Sequence, residues 1–285
     1  VSVPPVDPAV LARSVAVALA EDLGSAGDVT TAAVVAASRQ GLAVFVAREP
    51  MIVAGVDAAT EVFRQIDPSV TFTPCLDDGD RAEAGAIVAK ARGAARALLS
   101  GERTALNYLQ RMSGIATATG AAVAEIEGTG ATILDTRKTA PGLRALDKYA
   151  VRAGGGTNHR HGLYDAAMIK DTHLGATESL AAAIAACRAA GLPKPSITAE
   201  VRSVAELDEA IAAGAGRALC DNMTLPLLAE CVRRGKGKIV LEASGGLRPG
   251  LLRGVAATGV EFLSLGYLTH SVRAADLAMD LTALP

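Results

Sequence analysis

Ser196-Ile197-Thr198-Ala199-Glu200, then residues 204–213, then Ala218-Leu219-Cys220-Asp221, read as a short apolar run, a helical stretch and a second apolar run. Each run is strand length and meets a carboxylate at its end. The unit recurs downstream. Residues 225–233 predict a helix, Ile239-Val240-Leu241 a strand before Glu242, and residues 262–265 a strand before Gly266. Upstream, Thr132–Leu134 precedes Asp135, Ala167–Ile169 precedes Lys170, and residues 179–190 predict another helix. Strands and helices alternating at this length predict an α/β protein with a parallel sheet and right-handed crossovers. Polar or glycine residues closing so many consecutive strands predict a β/α barrel, with chemistry at the C-terminal strand ends. The alternative is an open doubly wound sheet, but no G-x-G-x-x-G follows an early strand.

The first part of the chain has another pattern. Residues 9–23 carry apolar positions at helical spacing and stop at Gly24. Residues 42–46, 51–54, 70–73 and 87–91 predict short strands, with Asp78-Gly79-Asp80 as a turn that closes a hairpin. Residues 94–114 predict a long helix ending at Ser113-Gly114, with the domain boundary in or near it.

Bulk properties exclude several functions. The chain has 285 residues, 50% hydrophobic and 3% aromatic with no Trp, so Ala, Val and Leu must fill a sizeable core. A formal net charge of −2 provides no general attraction for nucleic acid. Cys75, Cys187, Cys220 and Cys231 form no C-x-x-C pair, which argues against a zinc site or a disulfide framework and points to the cytoplasm. No apolar run suits a membrane span, and residues 1–10 predict no secretory leader.

The cations are local instead. Arg137, Lys138, His159, Arg160 and Lys170 lie at or after predicted strand ends, so a barrel would gather them on one rim. Guanidinium groups bind carboxylates and phosphates bidentately, and Lys binds them as a point charge. Gathered cations repel one another unless a ligand brings several negative charges. Glu200, Asp221 and Glu242 end successive strands, where they can hold Mg²⁺ or ribose hydroxyls, or simply neutralise nearby Arg and Lys. Ser244-Gly245-Gly246 and Gly266 follow the last two strands, where barrel loops commonly cradle phosphate.

These residues resemble the quinolinate phosphoribosyltransferase family. The likeness rests on Asp135-Thr136-Arg137-Lys138-Thr139, Pro141-Gly142-Leu143-Arg144, Lys148-Tyr149-Ala150-Val151, Gly154-Gly155-Gly156 and Asn158-His159-Arg160. It continues through Ile169-Lys170-Asp171, Leu219-Cys220-Asp221-Asn222, Glu242-Ala243-Ser244-Gly245-Gly246 and Gly266-Tyr267-Leu268-Thr269-His270-Ser271. Glu21-Asp22-Leu23-Gly24, Gly27-Asp28-Val29-Thr30-Thr31 and Gly101-Glu102-Arg103-Thr104-Ala105-Leu106-Asn107 fit as well. The resemblance implies an N-terminal α/β sandwich over 1–112, an open, partly irregular β/α barrel over 113–272, and a segment 273–285 that packs back on the sandwich.

It also implies transfer of phosphoribosyl from phosphoribosyl pyrophosphate to quinolinate with decarboxylation, giving nicotinate mononucleotide, pyrophosphate and CO₂. Lys138, Lys170, Glu200 and Asp221 are the implied catalytic residues. Arg103, Thr136, Arg137, His159, Arg160, Ser244, Gly245, Gly246, Leu265, Gly266 and Tyr267 join them in binding substrate. Mg²⁺ would arrive with phosphoribosyl pyrophosphate and face Glu200 and Asp221, directly or through water. A homodimer is implied, with Arg103 reaching the partner's site. Thr172, Thr198 and Gly216-Arg217 depart from the family's usual residues. Two other readings compete: a paralogue associated with molybdate transport, and a Schiff-base aldolase with Lys170 as nucleophile.

Overall fold

The computed structural model describes residues 3–284. Contacts divide the chain into two units. Residues up to 120, 139–155 and from 268 onward form the first, and residues 121–138 and 156–267 the second. The chain thus crosses between units repeatedly, where the sequence predicts a boundary at 112, and residues 139–155 lie with the first unit. No helix among the described residues is long and apolar enough to cross a membrane.

In the first unit, Asp7 caps helix α1 (Pro8–Leu23) by accepting from Ala9 N at 2.8 Å and Val10 N at 3.3 Å, ahead of a proline in the first turn. Helix α2 is Val29–Val34 and α3 is Val56–Ile66. The strands are β1 (Gln40–Ala47), β2 (Met51–Ile52), β3 (Thr71–Pro74), β4 (Arg81–Ala82), β5 (Ile87–Ala94) and the late β12 (Leu277–Ala283). They form a sheet of order β12-β1-β5-β3 and a separate β2-β4 pair. Along β1, Ala43, Phe45 and Ala47 are wholly buried, as a strand with one covered face requires. Phe45 meets Phe63 and Phe72 at centroid distances of 6.0 and 5.6 Å, which concentrates the scarce aromatics in this core.

The two strands that flank Asp78-Gly79-Asp80, β3 and β5, pair antiparallel as expected, but through a long connection in which β4 pairs with β2 rather than through a tight turn. The acids of that connection tie it down. Asp78 accepts from Tyr149 Oη at 2.8 Å and Val56 N at 3.1 Å, and Asp80 accepts from Asp77 N at 2.9 Å. Burial raises the Asp78 carboxyl above its ordinary pKa.

Helix α4 (Ala95–Glu125) runs past the expected stop at Gly114. That glycine serves close packing, since a Cβ there would overlap the Arg273 carbonyl, and a Cβ at Gly120 would overlap Ile52. Helix α5 (Arg144–Ala153) presents Asp147, wholly buried, to Arg111. The pair is bidentate, Nε to Oδ1 at 2.8 Å and Nη2 to Oδ2 at 2.7 Å, and Ala140 N adds a third bond at 3.0 Å. Removing one partner of a buried pair strands the other charge. Arg111→Ala is therefore expected to destabilise the protein by about 3–5 kcal/mol in denaturant unfolding.

The second unit holds the parallel strands β6 (Thr132–Leu134), β7 (Ala167–Ile169), β8 (Ile197–Val201), β9 (Arg217–Asp221), β10 (Val240–Ser244) and β11 (Phe262–Ser264). Their order is β6-β11-β10-β9-β8-β7, so β6 and β7 are the two edges. A single parallel bridge from Leu134 to Thr157 extends the β6 edge. This is the expected open, irregular barrel. Helices α6 (Asp171–Leu174), α7 (Leu180–Ala189), α8 (Val204–Ala213), α9 (Leu225–Gly235) and α10 (Leu252–Ala256) lie between strands, and α11 (Tyr267–His270) follows β11. Ser179 caps α7 and Ser203 caps α8, each accepting a backbone N–H one turn on.

Candidate active site

Strand residues of matching parity share a face, and pairing aligns those faces across the sheet. Met168 pairs with Thr198, Glu200 with Leu219, and Leu219 with Glu242. Lys170, Glu200, Arg202, Asp221, Glu242 and Ser244 consequently belong to one face of the second unit.

The cationic side starts at the end of β6. Asp135 is wholly buried; it accepts from Asn158 Nδ2 at 2.6 Å and His159 N at 2.8 Å. It therefore anchors the loop that carries His159 and Arg160. Lys138 N donates to Thr136 Oγ1 at 3.1 Å, which shapes the turn after Arg137. Arg160 donates from Nη1 to Ala166 O at 2.8 Å. Its guanidinium pKa is lowered, by burial first and next by the positive charge of Arg137. The two cations are thus close enough to oppose each other. Arg137 Nε is buried without a hydrogen-bond partner among the described residues. Mutually repelling guanidiniums with spare donors suit an anionic ligand.

His159 lies between the Arg160 backbone and Glu242. Its Nδ1 accepts from Arg160 N at 2.6 Å, which puts the proton on Nε2, 3.2 Å from Glu242 Oε2. Glu242 is wholly buried and also receives Arg217 Nη1 at 3.0 Å and Ser264 Oγ at 2.5 Å. Burial pushes its pKa up, but His159, Ser264 and Arg217 outweigh that and leave it lowered. Of the two roles open to Glu242, the observed partners match neutralisation. Arg217 also stacks 4.5 Å from the Phe262 ring centroid.

The acidic side lies at the ends of β7, β8 and β9. Lys170 Nζ is 3.8 Å from Glu200 Oε2. Arg202 Nη2 reaches Asp171 Oδ2 at 2.9 Å, Glu200 Oε1 at 3.2 Å and Asp221 Oδ2 at 3.5 Å. The Glu200 carboxyl is raised, by burial first and next by the charge of Asp221, while Lys170 pulls the other way. A raised folded pKa means the ionised form costs stability as the pH climbs through it and costs nothing below the unfolded value. Glu200→Gln is therefore expected to raise the unfolding temperature of substrate-free protein near neutral pH. That gain should fade as the pH falls toward the ordinary carboxylate range, in thermal melts taken across pH.

Gly245 and Gly246 have φ of +88° and +63°, and a Cβ at Gly245 would run into the Asn222 side chain. Asn222, itself at φ +53°, donates from Nδ2 to Asp221 Oδ2 at 2.9 Å, and its N donates to Ser244 O at 2.8 Å. The glycine turn and the acid at the end of β9 are therefore one unit. Leu265 N donates to Leu134 O at 2.9 Å, which sets the backbone leading to Gly266. Tyr267 Oη is buried without a partner among the described residues, and burial together with the Glu125 charge pushes its pKa up to about 12. Arg103 lies on α4 in the first unit, where it is exposed.

Arg202 and Asn222 are the residues the sequence reading left out of its site. For Arg202 the signal was available, since it stands two residues after Glu200 and so shares its face. For Asn222 it was the paired glycines opposite. Among the described residues no group of three or more His, Cys, Asp or Glu is arranged to hold a metal ion. Glu200 and Asp221 nevertheless supply hard oxygen donors, and Asp221 disfavours ionised Glu200, so a divalent cation there relieves a real repulsion. This donor set fits Mg²⁺ held largely by water and substrate oxygens rather than by a closed protein cage.

Residues 28–113 match the N-terminal domain of quinolinate phosphoribosyl transferase, and residues 115–280 match its C-terminal domain. The chain belongs to the quinolinate phosphoribosyltransferase family. It is 45% identical over 271 residues to the nicotinate-nucleotide pyrophosphorylase [carboxylating] of Mycobacterium leprae, covering 93% of this chain and 94% of that one. It is 43% identical over 262 residues to the probable enzyme of that name from Bacillus subtilis, covering 92% and 90%. The solved structure of nicotinate-nucleotide pyrophosphorylase from Francisella tularensis matches with a TM-score of 0.91 at 36% identity, covering 99% of both chains. NadC from Streptococcus pyogenes gives 0.94 at 37%, covering 99% of this chain and 100% of that one. As a quinolinate phosphoribosyltransferase, the chain is a transferase of NAD biosynthesis.

Proposed function

We propose that the gathered cations of the barrel bind quinolinate and phosphoribosyl pyrophosphate and join them with loss of CO₂. The observation that carries this reading is the Arg137–Arg160 pair. It combines mutual repulsion, partial burial and an unsatisfied Arg137 Nε, and its Arg160 is carried by a loop fixed by a buried carboxylate. Quinolinate brings two carboxylates to it. Arg137 and Arg160 clamp them, with Thr136 and His159 shaping the pocket and Arg103 supplied by the second subunit of a homodimer, as in the family. Holding the ring nitrogen toward the anomeric carbon removes roughly 7–11 kcal/mol of barrier by orientation alone.

Lys138 neutralises the departing pyrophosphate. Glu200 and Asp221 face the ribose and its developing positive charge. The same two residues would hold Mg²⁺, which would supply electrostatic stabilisation to the departing pyrophosphate. Ser244, Gly245, Gly246 and the backbone of Leu265, Gly266 and Tyr267 receive the 5′-phosphate. Alkylation of the ring nitrogen makes the pyridinium an electron sink beside the 2-carboxylate. The C–C bond breaks, CO₂ departs and the carbon takes a proton. Lys170 stabilises the negative charge that forms there. The working form is a cytoplasmic homodimer with small-molecule substrates and no nucleic-acid or membrane partner.

Isothermal titration with quinolinate beside nicotinate in low-salt buffer tests the reading. Tight quinolinate binding, with nicotinate at least tenfold weaker, is expected if both carboxylates are read. Equal binding would move the reading to another anion. A Schiff base at Lys170 would instead need a deprotonated amine in an apolar setting, whereas Lys170 sits 3.8 Å from Glu200.

A further inference from the structure

Three carboxylates at the ends of β7, β8 and β9 converge on one guanidinium. Arg202 Nη2 lies 2.9 Å from Asp171, 3.2 Å from Glu200 and 3.5 Å from Asp221. Two of these acids are the ones that suit a divalent cation. The backbone of Arg202 is fixed: its N donates to Glu206 Oε2 at 2.6 Å, and Ser203 Oγ accepts from Glu206 N at 3.2 Å at the start of α8. Its side chain reaches into solvent. It is 52% exposed, and among the described residues its guanidinium bonds only the three acids. A fixed backbone with a solvent-exposed cationic head describes a counter-ion with room to leave.

The charges give that departure a purpose. With Arg202 in place, three carboxylates face two cations, Arg202 and Lys170. With Arg202 gone, three carboxylates face Lys170 alone, and the pull on a divalent cation rises. A metal ion arriving by itself must displace Arg202 without compensation. A metal ion arriving with pyrophosphate brings anionic oxygens that accept the released guanidinium.

We propose that Arg202 is a removable counter-ion that keeps divalent metal out of the Glu200–Asp221 site until the pyrophosphate substrate delivers it. Arg202 is a positioning residue, acting through the two acids. The inference rests on the metal role given above for Glu200 and Asp221. It makes metal binding conditional on the polyphosphate, so that free cation neither fills nor locks the site.

Titration of Mn²⁺ into substrate-free protein, read from the free-ion signal in electron paramagnetic resonance, tests this without reference to turnover. Wild type is expected to bind Mn²⁺ weakly. Arg202→Gln should bind it at least tenfold tighter, with Arg202→Lys between the two. Adding Asp221→Asn to Arg202→Gln should abolish the gain. Equal Mn²⁺ affinity in wild type and Arg202→Gln would overturn the proposal, as would a gain that survives Asp221→Asn. A half-exposed side chain leaves little risk to folding, and Arg202→Met repeats the test with a different shape. Quinolinate titration of the same variants separates this outcome from failure of the substrate reading, because Arg202 pairs with the acidic side of the site.

Discussion

Arg160→Met keeps the fold and loses about 10²–10³-fold in kcat/KM for quinolinate, as expected when one member of a desolvated, hydrogen-bonded charge pair worth 2–5 kcal/mol is truncated. The effect on stability should run differently. Arg160 is held in its charged form against burial and against Arg137, so its removal relieves a repulsion in the empty protein. That gain opposes the loss of the Nη1 bond to Ala166 O, about 1 kcal/mol net, so the unfolding temperature should barely move. Arg160→Lys is the sharper variant. It keeps the charge but not the planar fork, so most of the loss in kcat/KM should remain. Steady-state kinetics with quinolinate varied, beside thermal melts, decide it. A loss below tenfold in Arg160→Met, or a full rescue by Lys, would show that this guanidinium does not read a carboxylate.

The barrel was legible because its strands are short, apolar and closed by residues that cannot continue a buried strand. Thr132–Leu134 and Ala167–Ile169 were read to the residue. The first unit was harder. The strands around Asp78-Gly79-Asp80 pair as the sequence suggests, yet Asp78 also binds Tyr149 and Val56, contacts that no local pattern announces. Gly114 reads as a helix stop, but the chain needs a bare Cα there for the Arg273 carbonyl. In both places the deciding contact is non-local.

The site divided along the same line. Its cations could be named from the sequence because each follows a strand end. Its pairings could not. Nothing in the sequence distinguishes Glu242, buried among His159, Arg217 and Ser264, from Glu200, which keeps a strained charge beside Asp221. Glu200 and Glu242 lie at the same level of the sheet, both beside Leu219, and Asp221 lies two residues further on beside Ser244. Their difference comes from neighbours across the sheet: Arg217 enters β9 at a position that reaches Glu242, while Arg202 leaves β8 at one that reaches Asp221.

Asp135→Ala is expected to cost the most of any single change in the second unit. The carboxylate is wholly buried at the end of β6 and takes Asn158 Nδ2 and His159 N at 2.6 and 2.8 Å. Its loss strands those donors inside the protein and releases the loop that carries Arg160. Breaking such a buried, fully engaged charge costs about 3–5 kcal/mol, enough to lower the unfolding midpoint visibly in denaturant. The subtler Asp135→Asn keeps shape and volume but turns one accepting oxygen into an amide that faces a donor, a mismatch of about 1–3 kcal/mol. This variant should fold and still bind quinolinate poorly, because Arg160 has lost its fixed starting point, while Mn²⁺ binding at Glu200 and Asp221 stays as in wild type. Calorimetry with quinolinate beside the Mn²⁺ titration separates the two halves of the site. Equal losses in both would mean that Asp135 supports the barrel as a whole, and wild-type quinolinate affinity would mean that the loop holds Arg160 without it.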